Sequence, residues 1–304
     1  MLPSDKQAFR QILASSKSII ILSGAGLSAA SGIPTYRDPN DSDALWSKND
    51  AMAYATPQAF QKDPSSVWQF YHRRRALCLN AKPNDAHRAL ATLSLPAVLS
   101  RVAPCASSPP LHVAQNIDAL SLRVLEPFSS QDKATAEKCL LEMHGSIFVT
   151  RCTSCQHIQR TYTPALSSTL RNIEDINTKH DIPIKELPRC GGDAWAGSNR
   201  YGNCGGLLRP EVVWFNEVPP LMGEIARKMN WCDLLLVVGT SSTVYPAAGF
   251  ASQVKARGGK VAMFNAGRAK GDEEADFLFL GNCEATLPDI LDVKTDIANM
   301  WPQA

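Results

Sequence analysis

Four cysteines, one histidine and a tyrosine–arginine pair are the residues of this sequence whose types and spacing could do chemistry. Cys152 and Cys155 are separated by two residues, so their thiolates can grip one face of a metal tetrahedron, and Cys190 with Cys204 can complete it. The second pair is looser than a usual knuckle, and 191–203 reads as an insertion that lengthens it. A closed all-cysteine site is structural, so the expected ion is one Zn²⁺ that does not touch substrate. A redox role is the rival reading, but no histidine or thioredoxin-like context accompanies the pair. His144, just before Gly145, offers an imidazole that titrates near neutrality, as a general base requires. Tyr71 and Arg74 are three apart and would share one helix face, where a phenol and a guanidinium can hold a carboxylate. The competing reading makes His72, Arg73, Arg74 and Arg75 a solvated basic face.

These residues need elements to position them. Apolar runs at 18–22, 234–238 and 260–264 read as buried parallel strands, each ending in a polar or glycine-bearing turn. A shorter strand at 111–114 ends in Gln115-Asn116-Ile117-Asp118. In an open α/β sheet such turns converge on one crevice beyond the carboxyl ends of the strands. A strand running into Gly24-Ala25-Gly26 resembles a phosphate-binding turn, where glycine admits a close approach and N–H groups receive the anion. Its spacing departs from the strict dinucleotide fingerprint, and glycine turns after strands also arise for structural reasons alone. A helical stretch is expected at 57–79 and loops at 96–110 and 129–137. From 151 to 206 cysteines and glycines replace long apolar runs, which suggests a small inserted module.

The 304 residues can bury a full core, and 44% hydrophobic with 20% charged residues is ordinary for a globular protein. A net charge of +2 argues against nucleic acid as a specific partner, and no apolar window is long enough for a membrane span. Near the N-terminus Ala8, Phe9, Ile12 and Leu13 have helical spacing, so the basic, serine-containing start reads as a first amphipathic helix rather than a targeting segment. Nine cysteines, an odd number, argue against a disulfide framework. A monomer is the default expectation.

Gly24 to Asp38, GAGLSAASGIPTYRD, resembles the signature segment of the sirtuins, the NAD-dependent protein lysine deacylases. The resemblance continues through QNID (115–118), EMHG (142–145), the four cysteines, VVWFNE (212–217), GTSSTVYPAA (239–248) and Asn265, nearly the whole chain. It implies an α/β fold: a Rossmann-like doubly wound parallel sheet (1–37, 86–150 and 207–304), a helical module with the cofactor loop (38–85) and a small inserted zinc-binding module (151–206).

By that resemblance Gly24, Ala25 and Gly26 hold the NAD pyrophosphate, while Thr35, Tyr36, Arg37 and Trp46 belong to the loop over the nicotinamide end. Tyr36 would shield the reacting ribose carbon, although the family usually has phenylalanine there. Gln115, Asn116, Ile117 and Asp118 line the nicotinamide side: Asn116 orients the ribose and Asp118 receives the carboxamide. His144 becomes the catalytic base beside Asn116 and Asp118. Gly239, Thr240, Ser241, Asn265, Ala266 and Gly267 would take the adenosine half. Cys283 would offer a backbone group to adenine, with a plain buried thiol as the equal alternative. Acyl-lysine proteins or peptides are the implied partners, laid as a strand beside Val212, Val213, Trp214 and Phe215.

Tyr71-x-x-Arg74 looks like the class III branch, which removes succinyl, malonyl and glutaryl groups and releases nicotinamide and 2'-O-acyl-ADP-ribose; Ala55 resembles the small residue that widens its acyl pocket. The alternatives are a deacetylase or ADP-ribosyltransferase of the same fold, or a non-catalytic NAD- or ADP-ribose-binding module. Branch resemblance implies mitochondria, with cytoplasm or nucleus as the alternative. The usual family histidine after Asp-x-Leu is replaced by Ser121. His87, His112, His157 and His180 lack such motif context and read as surface or packing residues.

Overall fold

Runs of Ile, Leu and Val that are buried on both faces form the centre of the molecule. The computed structural model describes residues 5–35, 53–171, 180–193, 195, 200–240 and 247–302; Tyr36, Arg37, Trp46 and Ser241 lie outside the described residues. Its strands are β1 (Ile19–Ser23), β2 (Leu111–Ala114), β3 (Leu140–Glu142), β4 (Gly145–Cys152), β5 (Ile158–Arg160), β6 (Leu208–Val212), β7 (Leu234–Val238), β8 (Lys260–Asn265) and β9 (Phe277–Leu280).

Six strands pair in the order β3-β2-β1-β7-β8-β9, every pair parallel. The chain winds one way from β1 to β3 and the other way from β7 to β9, so the order reverses between β1 and β7, where a doubly wound sheet opens its crevice. All residues of β1 and β7 are buried, as continuous apolar runs in a covered parallel sheet should be. One face packs on the helix Lys6–Ser15, whose Phe9 ring meets Phe264, Phe277 and Phe279 edge-on at 5.9, 5.7 and 5.4 Å. Asp5 starts that helix by accepting the Gln7 and Ala8 N–H groups.

A second, antiparallel sheet has the order β5-β4-β6. Because β4 must pair with β6, this sheet runs from Gly145 to Val212 and reaches beyond the expected 151–206 on both sides.

The helical stretch expected at 57–79 is two helices, Pro57–Lys62 and Pro64–Asn80. They divide at Asp63-Pro64: the Asp63 carboxylate caps the second helix by accepting from Ser66 N–H and Oγ–H, and proline occupies its first turn. Both expected loops contain helices. Pro96–Val102 begins with proline at a position that needs no donor, and Ser130–Lys138 is capped by Ser129 Oγ accepting from Asp132 N–H. Among the described residues no helix is long and apolar enough to cross a membrane.

Phe264 is fully buried where three aromatic rings converge. Phe264→Ala is expected to cost about 3–5 kcal/mol of stability, read as a lower urea midpoint at unchanged slope.

Candidate active site and metal centre

The turns after β1 and β7 cross at van der Waals contact. A Cβ on Gly26 would lie 2.7 Å from Gly239 Cα, and Gly239, at φ +59°, could carry one only 2.4 Å from Leu27 N. The Gly24 and Gly26 N–H groups donate to Val238 O (2.9 Å) and Gly239 O (2.8 Å). These two amides therefore stitch the turns together, and the glycines serve close approach.

Ser28 follows in the next turn and organises the residues at the end of β2. Its hydroxyl donates to Asp118 Oδ2 (2.6 Å) and accepts from Asn116 Nδ2 (2.9 Å). His87 Nδ1 accepts the Asn84 N–H (3.3 Å), so the neutral ring carries its proton on Nε2, 3.4 Å from the same hydroxyl. Burial, reinforced by nearby His112, pushes His87 down to about 3, and burial pushes His112 down to about 4; both rings are neutral at physiological pH. Burial raises Asp118, against which the Ser28 hydroxyl and the Leu120 N–H work. His112 Nε2 lies 2.8 Å from Ser23 Oγ, and His112, His87 and Ser121 line one small pocket of about 30 Å³. Ser28 and His87 had no role in the sequence reading; the signal for His87 was Asn84 three residues earlier, a capping pair that buries the ring.

His144 sits where the two sheets meet. Gly145 follows at φ +75°, where a Cβ would fall 2.1 Å from Glu211 O, so only glycine lets β4 pass β6 here. His144 Nδ1 donates to Gln115 O (2.9 Å), which leaves Nε2 as the lone-pair nitrogen. Burial lowers its pKa, with the Gln115 carbonyl opposing. The imidazole is thus held on the carbonyl of the residue before Asn116, in the loop that carries the buried Asp118 carboxylate.

Gln115 Nε2 and Asn265 Nδ2 are buried without hydrogen-bond partners among the described residues. One stands beyond β2 and the other at the end of β8, on either side of the β1/β7 crossing. Orphaned amides in those places suit the polar atoms of a ligand, and the site fits NAD by that measure. Ile117, Thr240, Ala266 and Gly267 follow the ends of β2, β7 and β8, and Thr35 lies further along the chain beyond the turn after β1. Cys283 is buried, its thiol against Phe264 O (3.6 Å) and pushed up to about 12 by burial, so only its backbone is left for a ligand.

Tyr71 and Arg74 are buried, 3% and 2% exposed, rather than part of a solvated face. Tyr71 Oη accepts from Trp214 Nε1 (2.9 Å), and the Arg74 guanidinium lies 4.7 Å from the Phe70 ring centre. Ala55 O accepts from Phe215 N–H, His144 O from Val213 N–H (both 2.9 Å), and Glu217 Oε2 from Trp214 N–H (2.9 Å). Val212 is the last residue of β6. An added peptide strand therefore cannot use these three N–H groups.

Cys152, Cys155, Cys190 and Cys204 bring their sulfurs within 4.8 Å of one another, with closest pairs at 3.5 and 3.7 Å. Sulfurs bonded at about 2.3 Å to one tetrahedral ion lie about 3.8 Å apart. The Gly202 N–H, foremost among several donors, draws Cys155 down to about 6, while burial pushes Cys190 up to about 12, so the four thiols are unequal. The insertion does not prevent closure, because Cys190 and Gly205 exchange a backbone bond across it. The cluster is consistent with a zinc-binding module.

A crevice of this kind, at the reversal of a doubly wound sheet, marks a dinucleotide-binding α/β protein. The Sir2 family model matches residues 24–246, and the chain belongs to the Sir2 family. It is 42% identical to the dog (Canis lupus familiaris) NAD-dependent protein deacylase sirtuin-5, mitochondrial, over 95% of this chain and 86% of that one. It is 39% identical to a Daphnia pulex NAD-dependent protein deacylase over 96% and 98%. Among solved structures, an ADP-ribose complex of a Sir2 homologue superposes with a TM-score of 0.71 at 29% identity, covering 98% of each chain.

The lowered pKa of His144 has a measurable consequence. By NMR its ring should titrate with a midpoint below the ordinary 6.5, staying neutral as the pH falls through that value. A midpoint above 6.5 would mean the ring is not desolvated as described.

Proposed function

We propose that the chain is an NAD-dependent protein-lysine deacylase that favours acyl groups ending in a carboxylate: succinyl, malonyl or glutaryl. The observation that carries the acidic preference is the burial of Tyr71 and Arg74 together on the helix Pro64–Asn80, where a guanidinium and a phenol can receive a carboxylate. Membership of the Sir2 family and the deacylase names of its relatives support the reaction class.

When bound, NAD supplies an electrophilic ribose carbon that the acyl-lysine carbonyl oxygen attacks as nicotinamide leaves. The residues of this chain bind, orient and move one proton. Asn116, held by Ser28, would orient the ribose; Asp118 and Gln115 would receive the carboxamide; Asn265 Nδ2 would meet the adenosine half. His144 Nε2 accepts a ribose hydroxyl proton, its other nitrogen being fixed on Gln115 O. With the Gly24, Gly26, Leu27 and Ser28 N–H groups all committed to main-chain carbonyls, phosphate donation at this turn would fall to the Ala25 N–H. Of the loop residues, Tyr36 would shield the reacting ribose carbon from water and Arg37 would help fix the cofactor. The four cysteines would hold one Zn²⁺ away from the chemistry. Mitochondria are the proposed compartment, on the sirtuin-5 resemblance, and a monomer the proposed state.

Nicotinamide release from matched succinyl- and acetyl-lysine peptides tests the acidic preference. Arg74→Met should lower kcat/KM for the succinyl peptide about 10- to 100-fold, by loss of a charge-assisted hydrogen bond, while acetyl turnover holds within about twofold. An acetyl preference in the wild type, or equal loss on both peptides, favours a plain deacetylase. Chelation tests the metal: stripping it should abolish turnover and loosen the module, and added Zn²⁺ should restore both. Full activity without zinc would refute that assignment.

A further inference from the structure

The helix Pro64–Asn80 is fastened by a side chain that the proposed reaction does not use. Arg75 lies one turn beyond Tyr71 on the same helix face and is 2% exposed. It donates from Nε to Thr163 O (3.0 Å), from Nη1 to Ile147 O (3.0 Å), and from Nη2 to Thr163 O (2.9 Å) and to Thr161 O. Its guanidinium also lies 4.9 Å from the Phe148 ring centre. Among the described residues every acceptor it reaches is a main-chain carbonyl. Burial draws it down to about 10, which leaves it charged at neutral pH.

Those carbonyls belong to two places. Ile147 is in β4, whose far end carries Cys152, and its N–H donates to Ile117 O (2.9 Å), between Asn116 and Asp118. Thr161 and Thr163 follow β5, the neighbour of β4 in the sheet that leads into the four-cysteine module. Arg160, at the end of β5, is held in turn by Glu142 of β3. One buried cation thus joins the acyl-pocket helix, the hairpin of the cysteine module and, through Ile147, the nicotinamide-side loop.

We propose that Arg75 is a positioning residue that couples the four-cysteine module to the acyl pocket, holding the Tyr71–Arg74 face of the helix where it can meet an acyl carboxylate. The inference rests on the acidic-acyl reading. An apolar replacement leaves three main-chain carbonyls short of a donor, the Ile147 one buried, so the helix must shift or admit water. Lysine keeps the charge but, as a compact ammonium, cannot span the same acceptors as a planar fork. An acetyl group makes no demand on the Tyr71–Arg74 pair and serves as the internal control.

The test measures KM and kcat for matched succinyl- and acetyl-lysine peptides, with bound zinc quantified, in the wild type, Arg75→Met, Arg75→Lys and Arg74→Met. The expected result is a rise of about tenfold in succinyl KM for Arg75→Met. Acetyl KM and zinc content should stay as in the wild type, with Arg75→Lys between. Equal effects on both peptides, no effect on either, or loss of zinc while Arg74→Met remains succinyl-selective would overturn the coupling and leave Arg75 a purely structural residue. An unselective Arg74→Met would instead bring down the acidic-acyl reading, and this inference with it. If Arg75→Met does not fold, Arg75→Lys decides alone: a succinyl-selective rise supports the coupling and an unselective one refutes it.

Discussion

The crossing of Gly26 over Gly239 is the contact on which the site depends. β1 and β7 are adjacent, parallel and in register, Ser23 opposite Val238, so their turns leave the sheet at the same level and must share one space. Any side chain there would part them: a Cβ on Gly24 would lie 2.7 Å from Thr240 Cβ, and one on Gly239 would meet Leu27 N. Bare backbone instead lets two amide–carbonyl bonds close the gap. Ser28 then falls where it can hold both Asn116 and Asp118, which arrive from β2. The polar cluster is thus a consequence of how closely two turns can pack.

A second constraint is the seam between the sheets. His144 belongs to neither: β3 ends at Glu142 and β4 begins at Gly145. Its carbonyl accepts from Val213 and its ring donates to Gln115, so the segment after β6, the imidazole and the β2 loop are tied through one residue. Burial at that seam keeps the imidazole neutral, and the Gln115 carbonyl decides which nitrogen has the free lone pair. On the other side of the small sheet, Arg209 stacks 3.6 Å from the Trp214 ring centre and pairs with Glu217, bracing the indole that donates to Tyr71.

The parts of this architecture that were legible in the sequence are those set by apolar runs and by motif residues. β1, β7 and β8 appear as continuous apolar runs and β2 as a shorter strand, and their end-of-strand turns carry the glycines and amides of the site. Local side-chain capping was harder to read. Ser129 and Pro96 start helices in segments that look like loops, because a serine reads as a chain breaker until the N–H three residues on is considered, and a proline until it falls at a first helical position that needs no donor. β9 was missed: Phe277–Leu280 is short, and its burial comes from packing on Phe9 and Phe264. His87 was missed for a related reason, since its role depends on a hydroxyl 59 residues away in sequence. In the run from His72 to Arg75 sequence cannot separate buried from solvated arginines; the neighbouring carbonyls and rings that bury Arg75 come from β4 and the segment after β5.

The most direct measurement is calorimetric titration of NAD into the wild type and Gly239→Ala, with far-UV circular dichroism on both. A single methyl at a left-handed position, driven into Leu27 N, should leave the sheet folded and weaken NAD binding by about tenfold or more. NAD binding to Gly239→Ala at wild-type strength would contradict a cofactor site built on that crossing.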